Sequence, residues 1–179
     1  MGAAGLALMG VLLVVERRTE EPFLAPELFR ATAFLAANGA QLLVGVSLIV
    51  AMVTVPLMAN TVMGKTPLTG AMWLLRMTGA IPLGAVVGGL VLGRAGFRPV
   101  MVAGLGLTAL GLFLVSGWDL DVGEPQLTLH LAVAGLGFGL VISPIMTQAL
   151  TAVSDDYRAT AASLVVVARM LGMTLGLAA

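Results

Sequence analysis

The sequence predicts an all-α membrane protein, a partial bundle of about five transmembrane helices with a truncated apolar stretch before them. Three observations carry this expectation. Of 179 residues, 59% are hydrophobic and 10% charged, with mean hydropathy +1.07, whereas soluble domains carry about 25% charge. A soluble fold of this length cannot bury so much apolar surface, so lipid must solvate part of it. The charges also fall in clusters, leaving apolar runs at residues 1–15, 34–59, 68–93, 99–118, 127–152 and 159–179. Finally, strand-like alternation is absent, and an open sheet edge has no hydrogen-bond partner in hydrocarbon.

Taken in order, the first run extends about 22 Å as a helix, too short to span. No positive charge precedes it and Glu16-Arg17-Arg18 follows, so it does not read as a signal peptide. The next four reach the roughly 20 residues that a 30 Å hydrocarbon core requires. The last ends inside an apolar stretch without a cap or polar tail, and with the short first run it suggests a fragment of a longer protein. Arg17, Arg18 and Arg30, then Arg94 and Arg98, then Arg158 occupy one set of connections; Lys65, Asp119, Asp121 and Glu124 occupy the other. Positive connections stay cytoplasmic, which puts the first set inside and Trp118 at the outer interfacial belt. Gly84 with Gly88, and Gly172 with Gly176, are spaced for close helix contact. Pro56, Pro82 and Pro144 fall within spans, where each frees a carbonyl and favours a kink.

The composition bears on function by exclusion. Nine basic and nine acidic residues leave no basic field for nucleic acid. There is no cysteine and one histidine, and every acid lies in a connection or at a span end. No catalytic residue, metal or cofactor is expected, and an enzyme is not. Nothing suggests a channel filter or a ring of like charges.

The run Gly89-Leu90-Val91-Leu92-Gly93-Arg94-Ala95-Gly96-Phe97-Arg98 resembles the signature loop of the major facilitator superfamily, between the second and third helices of a six-helix half. Gly89, Arg94, Gly96 and Arg98 match it; Gly93 stands at the acidic position and Phe97 at the first of the paired basic ones. Glu27-Leu28-Phe29-Arg30, Thr66-Pro67-Leu68-Thr69-Gly70, Gly135-Leu136-Gly137-Phe138-Gly139 with Ser143-Pro144, and the run from Arg169 to Ala178 are similar to segments in the C-terminal half of the fourteen-span drug:proton antiporters. The resemblance implies that residues 1–32 hold the end of a linker transmembrane helix and a cytoplasmic loop. Residues 33–179 would then be five helices of a partial C-terminal six-helix half, in a protein of twelve or fourteen spans.

Two arginines lie within spans, where a charge costs about 2.5–3.5 kcal/mol on insertion scales. Arg169 shares a face with Gly172, Met173 and Gly176 and should point into the bundle, either as an anchor on backbone carbonyls or as a pathway residue. Arg76 is expected to snorkel to the outer interface past Trp73. Asn38, Gln41, Gly45, Met52 and Pro56 fall on one arc of their span, as do His130, Gly137, Pro144 and Gln148 on theirs. These resemble the two cavity-lining helices of the family's C-terminal half, with His130 near the outer surface as a solvated group. Proton antiport needs a group whose protonation alternates, usually a membrane carboxylate; the resemblance puts it in the missing N-terminal half.

What the resemblance implies is secondary active export of drugs or other amphiphilic small molecules, by proton antiport, in a bacterial plasma (inner) membrane. A lipid exporter of the same fold, and a non-transporting membrane fragment or scaffold, are the alternatives. The expected partners are a lipophilic or amphiphilic substrate, membrane lipid and the missing N-terminal half.

Overall fold

The computed structural model describes residues 31–120 and 122–178. The apolar run at 1–15, Arg17, Arg18, Arg30, the Glu27-Leu28-Phe29-Arg30 segment and Asp121 lie outside the described residues, as does most of the expected linker region 1–32.

The chain is an all-α membrane protein, and its described residues form five helices long and apolar enough to cross a bilayer. These are α1 (Thr32–Leu57), α2 (Pro67–Ala95), α3 (Phe97–Ser116), α4 (Glu124–Thr151) and α5 (Arg158–Ala178), and no strand occurs among the described residues. α2 starts where the sequence supplies both start signals: the Thr66 hydroxyl accepts from the Thr69 N–H at 3.3 Å, and Pro67 occupies the first turn. α2 and α3 are separated by Gly96 alone, at φ +78° and ψ 174°, a conformation that a side chain disfavours. The end of α1 changes register. Two residues after Pro56, Met58–Val62 forms a π-turn closed by a bond from the Met63 N–H to the Met58 carbonyl.

Packing places α4 at the centre. Leu131, Ala134, Phe138, Val141, Ile145 and Ala149 are all 0% exposed. α2 runs parallel to α4, and the contact is made by glycines from both sides. Gly84 and Gly88 of α2 lie against Leu136 and Leu140, while Gly135 and Gly139 of α4 lie against Met77 and Ile81. α3 crosses α4 antiparallel, with Gly104 against Val141 and Gly111 against Ala134. α5 docks chiefly on α1, where Gly172 meets Leu42 and Gly176 meets Val46 and Ile49. Small residues bring the backbones close enough for dispersion to hold helices together without a hydrophobic driving force.

Elsewhere, apolar side chains point outward: Leu43, Leu90, Val102 and Phe113 are 65–74% exposed, as a lipid-facing surface requires. Most hydroxyls bond within their own helices. Ser47, Thr61, Thr78, Thr108, Thr147, Ser163 and Thr174 each donate to the carbonyl four residues back, which satisfies them in hydrocarbon without tying one helix to another.

Candidate functional site

The polar residues fall into separate groups, at the helix ends and along the spans. At one end of the bundle the starts of α2 and α4 lie side by side because those helices are parallel. Arg76, nine residues beyond Pro67, donates through Nη1 to Glu124 Oε2 at 2.6 Å and to Thr128 Oγ1 at 2.8 Å. The guanidinium thus reaches the first residue of α4, where it meets a carboxylate on the neighbouring helix in an ion pair. The Arg76 side chain is 32% exposed and that of Glu124 59%. At such exposure a pair contributes about 1 kcal/mol or less in water, so its main effect is to neutralise a guanidinium close to the hydrocarbon.

Trp118 departs further from expectation. It is 7% exposed, stacked edge-on against Trp73 at 5.9 Å between ring centroids, and its Nε1–H donates to His130 Nδ1 at 3.0 Å. It packs inside protein rather than presenting itself at an interfacial belt. His130, expected as a solvated group, is half-buried and lines a cavity of about 240 Å³ with Gly117, Trp118, Asp119, Val122 and Gln126.

Arg169 stands apart. Its backbone carbonyl is pressed against Gly45 of α1, so its face of α5 is packed on protein, yet the residue is only half-buried. Among the described residues no hydrogen bond or ion pair reaches its guanidinium, so of the two expected roles the carbonyl anchor has no bond there.

The two polar stripes separate into contact and cavity positions. Gly45 lies against α5 and Gly137 against Thr108 of α3, so both are helix contacts, and Pro144 is buried. Asn38 donates to the carbonyl of Phe34 in its own helix at 2.9 Å, and Met52 is half-buried. Gln41 is 1% exposed with Oε1 unpaired. Gln148 Oε1 is buried and unpaired, and the residue lines a cavity of about 280 Å³ with Leu92, Phe97, Thr147 and Thr151. Of the signature segment, Gly89 and Arg94 are helical in α2 and Arg98 lies in the first turn of α3, so the expected loop shrinks to Gly96. Arg94 and Arg98 are exposed, and Arg94 sits in the last turn of α2, where a cation complements the helix dipole.

Glu124, Thr128 and Trp73 escape sequence reasoning as partners: the spacings of Trp73 with Arg76 and of Glu124 with Thr128 put each pair on one helix face without joining the two helices. No group of three or more potential metal ligands occurs among the described residues.

No family model matches the chain. Known transporters do. A "Triacylglyceride transporter" of Mycobacteroides abscessus is 36% identical over 189 residues, covering 100% of this chain and 37% of its own length. The chain is similar to part of a transporter. A second protein so named, from Mycolicibacterium smegmatis, is 38% identical over 92% of this chain and 31% of its own. A third, from Mycobacterium tuberculosis, is 40% identical over 82% of this chain and 30% of its own. The chain thus spans about a third of the length of these relatives.

Proposed function

We propose that this chain supplies five membrane helices to a secondary transporter that exports lipid of the triacylglyceride class. The observation carrying the reading is the likeness, along the whole chain, to a protein named for that cargo. The expected drug export and the lipid alternative share one architecture, and the relatives' names favour the lipid. One feature suits such a cargo: an apolar bundle held by glycine contacts.

On this reading the carrier has the major facilitator plan and sits in a bacterial plasma membrane. The described helices belong to its C-terminal half, and the proton-coupling acid belongs to the half that faces them. Support for the last point comes from the described acids, since Asp119, Glu124, Asp155 and Asp156 all lie at helix ends or between helices. Alternating access would rock the two halves about a midplane site.

Complementation tests the cargo. In a bacterium deleted for its own triacylglyceride exporter, the carrier containing this chain should restore triacylglyceride outside the plasma membrane. Restored efflux of a lipophilic cationic dye, with triacylglyceride still retained, would assign it to drug export instead.

A further inference from the structure

Among the described residues, the side-chain hydrogen bonds joining different helices or their connections all lie at one end of the bundle. They form a closed ring with the aromatic contact. Arg76 of α2 holds Glu124 and Thr128 of α4. His130 of α4 holds Trp118, just past α3. Trp118 rests edge-on against Trp73, back on α2. Each link joins a different pair of elements, so the ring fixes three helices where the rest of the bundle relies on apolar packing.

We propose that this ring is a proton-operated clasp: protonation of His130 breaks its bond to Trp118 and frees α2 and α3 from α4 at this end. A neutral imidazole that accepts at Nδ1 carries its proton on Nε2. A proton taken from water onto Nδ1 leaves two N–H donors and no acceptor, so the Trp118 N–H then faces another donor. The charged groups around His130 fit the change. Asp119, on the connection after α3, lines the same cavity and offers the imidazolium an acceptor. Arg76 of α2 and Glu124 of α4 are engaged with each other, and Lys65 lies on the α1–α2 connection. α1 has no charged residue, α3 has Arg98 at its far end, and α5 brings Arg169 nearer its middle and Arg158 at the far end. The clasp is a property of the bundle and stands independently of the cargo.

The chain contains two tryptophans, Trp73 and Trp118, both in the ring, so tryptophan emission, excited apart from Tyr157, reports on the clasp. The test is the emission of the 179-residue chain in lipid nanodiscs, taken from about pH 8 down to about pH 5. Wild type should show a red shift as the indole leaves its buried site. His130→Gln, which keeps an acceptor but does not titrate, should lose that transition, and so should His130→Asn. Glu124→Gln should retain it. Helicity by circular dichroism accompanies each variant, and should His130→Gln fail to fold, His130→Asn carries the same decision. A flat wild-type curve overturns the proposal, as does a transition that persists in the His130 variants, the result expected if Asp119 were the titrating group.

Discussion

Arg169→Leu in the carrier is expected to cut export by about tenfold or more, while insertion and membrane abundance stay unchanged. Arg169 lies eleven residues into α5, about 16 Å along the helix and close to the midplane of a hydrocarbon core. Placing the charge there costs about 2.5–3.5 kcal/mol, and leucine removes that cost, so a purely structural view predicts a neutral or stabilising change. The helix contact does not depend on the side chain either, because Gly45 meets the backbone of Arg169 and Gly172 meets Leu42. What leucine removes is a guanidinium that no described residue engages, available to a carboxylate or a cargo carbonyl across the transport path. Arg169→Lys should recover part of the rate, since an ammonium keeps the charge but not the planar fork. The readout is export rate per inserted carrier; a leucine variant as fast as wild type would show that the charge serves no step of transport.

Single-cysteine labelling in intact cells should give an all-or-none topology. The chain has no cysteine of its own, so Ala95→Cys and Leu120→Cys, both at exposed positions, each introduce one thiol. With alternating helix directions, Arg94, Arg98 and Arg158 gather at one end and Lys65, Asp119 and Glu124 at the other. Positive connections remain in the cytoplasm, so an impermeant external reagent should label residue 120 and leave residue 95 untouched until the cells are opened. The reverse pattern would invert the bundle and place the Arg76–Glu124 pair inside.

The helices were legible because hydropathy and length decide them together. Each expected run from 34–59 onward lies within a helix or overlaps nearly all of one, and the differences are a few residues at the ends, where Pro67, Pro125 and Thr66 start helices earlier than hydropathy does. The glycine pairs were legible for the same local reason: Gly84 with Gly88 and Gly172 with Gly176 are helix contacts.

Partners across helices were not legible. Glu124 is 48 residues from Arg76 and comes level with it because α2 and α4 pack in parallel, which no local pattern specifies. Trp118 at a span end reads as a belt residue until Trp73 and His130 are seen to enclose it. A shared arc on a helix says that residues face one way without saying what they face. Thus Gly45 and Gly137 share arcs with Gln41 and Gln148 yet lie against neighbouring backbones.

The most direct test of the account is movement of a labelled triacylglyceride across a proteoliposome membrane under an imposed pH gradient. The carrier containing this chain should move the lipid in a gradient-dependent way, and Arg169→Leu should slow it. The isolated 179-residue chain should move none, because its described helices carry no membrane carboxylate away from their ends. Gradient-driven lipid movement by the isolated chain, or a carrier that moves lipophilic dyes but no triacylglyceride, would contradict the account.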